Sequence, residues 1–175
     1  MTDVNVAMQK GETSLSAAEA ADLVEMLFFA YRDFVADADH MLEPLGFGRA
    51  HHRVLHFVGR NPGMTVAQLL DILRITKQSL SRVLKELLEK NYVLQKAGPE
   101  DRRQRLLYLS GEGDVLWRTL MAPQIARFQN AARSMAETDG SLYRELFLEL
   151  INVENRDSVQ AWIARASTSA KGTME

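Results

Sequence analysis

Within the three residues 74–76 a helical pattern stops and a second one starts. Before the break, "TVAQLLDIL" (65–73) sets Val66, Leu69, Leu70 and Leu73 at i, i+3, i+4 and i+7, the spacing of one buried helix face. After it, "TKQSLSRVLKELLEKN" (76–91) sets Leu80, Val83, Leu84, Leu87 and Leu88 on one stripe. Thr65 and Gln68 have capping-box spacing, and Thr76 is placed to cap the second helix. Asn91, tolerant of left-handed geometry, ends it. The period then changes to that of extended chain. "YVLQKA" (92–97) and "QRLLYL" (104–109) are short β-prone runs joined by "GPEDRR", which predicts a β-hairpin with a long tip. Helix, tight turn, helix, hairpin is the order to which everything else must be fitted.

Other helices flank this unit. "SAAE" (16–19) is another capping-box match, and a helix is expected from there to about Met41. Leu23, Leu27, Ala30, Tyr31 and Phe34 form its stripe, widened by Val24, Phe28 and Phe29. A helix this apolar packs against more than its own core, for instance a partner subunit. "EPLGFG" breaks it. "RAHHRVLHFVGR" (49–60) is the next helix, stopped by "NPG". Ser110 caps a helix to about Met135, which Pro123 is expected to kink or break. "ETDGS" punctuates, and a last helix is expected over about 141–166. Residues 1–13 read as a loose tail and 167–175 as a disordered one.

The chain has 175 residues, 46% of them hydrophobic and 25% charged, enough for one domain with a sizeable core and extra helices. With no cysteine, disulfides, thiolate metal sites, cysteine nucleophiles and thiol-based oxidant sensing are excluded. The densest apolar run, "LVEMLFFAY", is interrupted by Glu25 and too short to span a bilayer. The first residues lack a signal-peptide pattern. A cytoplasmic protein without membrane partners is expected. Ser, His and Asp are scattered without catalytic spacing, so no enzyme, catalytic residue or cofactor is expected. Neither Gly46-Phe47-Gly48 nor Gly111-Glu112-Gly113 sits in a βαβ unit, so neither reads as a phosphate loop.

Charge distribution points to a polyanion. Between Arg74 and Arg105 stand nine Lys/Arg against four Asp/Glu, whereas the rest of the chain holds twelve against nineteen. A basic island on an acidic body fits one face meeting nucleic acid. At about 100° per residue, Lys77, Gln78, Ser81, Arg82 and Lys85 lie opposite the apolar stripe of their helix. Such a face suits a major groove about 12 Å wide. Gln78 and Arg82 match adenine and guanine edges, while Lys77, Ser79 and Ser81 suit phosphates. Thr76 and the helix N-terminus add backbone donors. Arg102, Arg103 and Arg105 at the hairpin tip suit the DNA backbone or a narrow minor groove. The order of elements is therefore that of a winged helix-turn-helix: mainly α, with a small β-hairpin wing.

The segment "MTVAQLLDILRITKQSLSRVLKELLEKNYVLQKAGPEDRRQRLLYLSGEG" (64–113) resembles the MarR family of winged-helix transcriptional regulators. Asp101-Arg102-Arg103 supplies the family's D-x-R, and "LSGEG" closes the wing. "FGRAHHRVLHFVGR", "TKQSLSRVLKEL" and "DRRQR" look similar to the PetP branch. The resemblance implies a homodimer with N- and C-terminal dimerisation helices, and a repressor-type regulator of a pseudo-palindromic double-stranded DNA operator. It divides the chain into a tail and dimerisation helix (1–47), a DNA-binding domain (48–110), further dimerisation helices (111–166) and a tail (167–175). It implies that Arg103 reaches the minor groove and that Asp101 pairs with it and orients it. It also implies a small aromatic effector.

Two alternatives stay open. One is an architectural protein that binds DNA without sequence preference. The other is a metal-responsive regulator using His51, His52 and His56, since His52 and His56 are one helical turn apart and His40, Asp37 and Asp39 could complete a site.

Overall fold

The computed structural model describes residues 15–135 and 140–171, without the side chains of 168–171. The expected tail 1–13 and most of "ETDGS" lie outside the described residues. The chain forms two compact units, residues 1–34 and 35–175. Helix α1 (Ala17–Leu42) starts in the first and ends in the second.

In the first unit α1 begins as its capping box dictates. Ser16 N–H donates to Glu19 Oε2 at 2.9 Å, and Glu19 N–H donates to Ser16 Oγ at 3.3 Å. Leu23, Val24, Met26, Leu27, Phe28, Phe29 and Tyr31 are between 49% and 70% exposed. Among the described residues these side chains form an exposed apolar stripe on α1.

In the second unit Val35, Ala38 and Leu42 bury the end of α1. A 3₁₀ turn (Glu43–Leu45) follows, closed by Gly46 at φ 69°. Then come α2 (Arg49–Arg60), β1 (Met64–Thr65), α3 (Val66–Leu73), α4 (Lys77–Glu89), β2 (Val93–Ala97), β3 (Arg105–Leu109), α5 (Gly111–Ser134), α6 (Gly140–Glu149) and α7 (Val153–Lys171). The fold is mainly helical with a small antiparallel sheet, as the sequence predicts. The core joins α1, α2, α3, α4, the sheet and α5 through Leu42, Leu55, Leu69, Leu80, Leu87, Leu107 and Leu120, all fully buried. Burying each such leucine contributes roughly 2 kcal/mol.

Four features differ from expectation. The sheet has three strands in the order β1-β3-β2. Strand β1 is too short to show a period; its pairs Met64↔Leu107 and Thr65↔Leu106 define it. Of the two outcomes expected at Pro123, the break does not occur: α5 runs through it, with Leu120 and Gln124 on either side buried. The expected helix 141–166 is two helices, α6 and α7. Arg156 supplies the stop: its Nε donates to Ile151 O at 2.9 Å and its Nη2 to Glu149 O at 2.8 Å, satisfying carbonyls that a continuing helix would have bonded. Finally, α7 runs to Lys171, into the segment expected to be a disordered tail; 172–175 lie outside the described residues.

The base of the wing explains the "LSGEG" motif. Ser110 N–H donates to Tyr92 O at 3.1 Å. Ser110 Oγ accepts from Gly113 N–H at 2.9 Å and donates to Asn91 O. A Cβ at Gly113 would lie 1.9 Å from Tyr92 O, so only glycine lets α5 start this close to β2.

Candidate nucleic-acid interface

The tight turn between α3 and α4 is fixed at several points. Arg74 takes the left-handed conformation (φ 49°) that closes α3, and its Nη2 donates to Asn155 Oδ1 of α7 at 2.6 Å. Arg53 of α2 donates from Nη2 to Leu73 O at 3.2 Å. Thr76 then caps α4: its Oγ1 accepts from Ser79 N–H at 3.1 Å and donates to Ser79 Oγ at 2.9 Å. The N–H groups of Lys77 and Gln78 belong to the first turn and have no intrahelical acceptor.

Helix α4 buries Leu80, Val83, Leu84 and Leu87. Thr76, Lys77, Gln78, Ser79, Ser81, Arg82 and Lys85 are all exposed. The structure thus places the expected polar residues on the uncovered side. Asn91 ends the segment in the left-handed region (φ 57°), as its residue type predicts.

The wing tip is a closed loop. Register pairs run from Val93↔Leu109 to Ala97↔Arg105. Beyond them Gly98 N–H donates to Gln104 O, and Gln104 N–H to Asp101 O, each at 3.0 Å. Asp101, Arg102, Arg103 and Arg105 are exposed. The contact expected between Asp101 and Arg103 takes another form. Asp101 Oδ1 accepts from the Arg103 backbone N–H at 2.8 Å, an Asx-type turn, rather than pairing with the guanidinium. Two residues of separation in a tight loop bring the carboxylate to the nearby backbone donor first.

His51 and His56 make contacts within the fold. His51 Nδ1 accepts from Gly48 N–H at 3.1 Å, capping α2, and its Nε2 lies 3.0 Å from Glu86 Oε2. His51 also stacks on Phe47, ring centroids 4.5 Å apart. Burial pushes His52 below its ordinary pKa. Burial, with help from His52 and Arg60, pushes His56 down to about 4. His56 Nδ1 lies 3.1 Å from Met121 Sδ. The acids that could have completed a metal site are paired elsewhere, Asp37 with Arg127 at 3.2 Å and Asp39 with Arg49 at 2.9 Å. Among the described residues no three His, Cys, Asp or Glu converge on a metal position.

One participant went unread in the sequence. Glu86 Oε1 stands 3.9 Å from Arg82 Nε while Oε2 holds His51. The i, i+4 spacing of Arg82 and Glu86 was the available signal. The tie to His51 is not a local pattern.

An exposed polar helix behind a fixed tight turn, followed by an arginine-tipped hairpin, makes this a winged helix-turn-helix. Comparison with known proteins gives its family. The model described as MarR family matches residues 45–104. The HTH-type transcriptional regulator PetP of Rhodobacter capsulatus is 39% identical over 137 residues, covering 78% of this chain and 82% of that protein. The chain belongs to the MarR family of DNA-binding transcriptional regulators. Among solved structures, a MarR family transcription regulator matches with TM-score 0.63 at 20% identity, over 76% of this chain and 88% of its own. A mutant MarR from E. coli complexed with operator DNA matches with TM-score 0.54 at 18% identity, over 79% of this chain and 100% of its own. These two likenesses concern the fold.

Proposed function

We propose that the protein is a sequence-specific, homodimeric regulator of transcription acting on a pseudo-palindromic DNA operator in the cytoplasm. The observation that carries this is the exposed face of α4, with Gln78 and Arg82 amid Lys77, Ser81 and Lys85, beside a wing whose tip presents three arginines. In this reading Gln78 and Arg82 contact base edges in the major groove. Lys77, Ser79, Ser81, Lys85 and the N-terminus of α4 hold phosphates. Arg103 enters the minor groove, on a loop shaped by Asp101, and Arg102 and Arg105 flank it. Residues 48–110 bind DNA, and helices on either side form the dimer. Support for the dimer comes from the uncovered apolar residues of α1 and, taken separately, from Leu142, Leu146, Phe147 and Leu150, each more than 45% exposed. A small aromatic effector fits the reading: Tyr92, Val115 and Leu116 line an open recess.

The test is capture of genomic fragments followed by fluorescence anisotropy. Tight binding to captured fragments, weak binding to random DNA and a steep fall of log K with log salt are expected. Equal affinity for random DNA would favour the architectural alternative. A flat salt dependence would remove DNA as the partner.

A further inference from the structure

We propose that Glu86, held by His51, is a positioning residue for Arg82 and thereby sets base specificity. The proposal rests on α4 reading bases, as argued above. Glu86 lies on α4 one turn beyond Arg82, with Oε1 3.9 Å from Arg82 Nε and Oε2 3.0 Å from His51 Nε2. The hydrogen bonds assign the imidazole tautomer. Gly48 N–H is a donor, so His51 Nδ1 accepts, and the ring proton sits on Nε2. A neutral imidazole then donates to the carboxylate and leaves its charge to act on the guanidinium.

His51 is itself packed and hydrogen-bonded within the fold. It is 7% exposed, stacked on Phe47 and tied to the start of α2. The carboxylate is therefore anchored to a second helix, whereas the Arg82 side chain is 81% exposed and otherwise free to sample many rotamers. An anchored acid beside it narrows those rotamers before DNA arrives. That favours a bidentate contact with one base over diffuse contact with phosphates. The acid also repels nearby phosphates, so its contribution is discrimination rather than affinity.

Glu86→Gln keeps one acceptor oxygen available to His51 and removes the charge. Binding-site selection from a random library, with anisotropy on the selected site and its single-base variants, reads the result. Glu86→Gln should lower discrimination at one base pair per half-site by about fivefold, with random-DNA affinity equal or higher. His51→Phe should do the same, provided circular dichroism shows an unchanged melting curve. In an Arg82→Ala background Glu86→Gln should change nothing further. Unchanged discrimination in Glu86→Gln, or an effect that persists without Arg82, overturns the proposal alone. Unchanged base preference in Arg82→Ala overturns base readout by Arg82, and this proposal with it.

Discussion

Helices α4 and α1 both carry strong apolar stripes, but the chain treats them differently. Leu80, Val83, Leu84 and Leu87 of α4 are covered by the chain's own core, and only the polar side remains outside. Leu23, Leu27, Phe28 and Phe29 of α1 stay largely exposed. The first pattern completes a fold and leaves a surface for chemistry. The second leaves apolar area whose burial requires another surface. Perturbing the α4 region should therefore change stability independently of concentration. Perturbing α1 should change association.

The largest effect is expected where the wing meets α5. Gly113→Ala forces a Cβ into the Tyr92 carbonyl and should cost about 3 kcal/mol or more, read as a lower urea midpoint. The same loss at all protein concentrations is expected; a concentration-dependent loss would blur the distinction between the two regions. Acid should act with similar size. His56 has a folded pKa of about 4 against its ordinary 6.5, so its contribution is full above about 6.5, declines as pH falls and levels off below about 4. The loss by pH 4 is about 3 kcal/mol. Denaturant titrations across this range should flatten in His56→Leu.

Phe28→Asp tests the other side of the comparison. It should weaken self-association by about 2 kcal/mol, seen as a shift towards the 19.7 kDa chain in sedimentation at micromolar concentration. A monomeric parent protein would remove the dimer from the proposed function. Arg103→Ala should reduce operator affinity about tenfold, against little change for Arg144→Ala on α6. Equal losses in the two variants would displace the wing from the interface. Thr76→Ala should have the smallest effect, about 1 kcal/mol of stability from loss of a cap, with operator affinity following helix order.

What was legible in the sequence is what local physics controls. The bounds of α2, α3 and α4, the caps at Ser16, Thr65, Thr76 and Ser110, and the left-handed stop at Asn91 all follow from side chains acting within a few residues. Exposure of the α4 candidates followed from the same helical period that buries its leucines. Asp101 was read as a neighbour of Arg103, but which group of Arg103 it would hold depended on loop closure through Gly98 and Gln104. The α6–α7 break was missed because Arg156 stops α6 from the following helix, a role its own spacing does not reveal.

By itself, then, the sequence determined the alternation of helices and hairpin, the polar face of α4 and the basic wing, because periodicity, caps and charge are local properties. Tertiary structure alone decided the pairing of β1 with β3, the crowding that makes Gly113 irreplaceable, and the burial that keeps His56 neutral. It also decided the tie from His51 to Glu86. Each of these depends on atoms distant in sequence meeting within a few ångströms, and no local pattern encodes such a meeting.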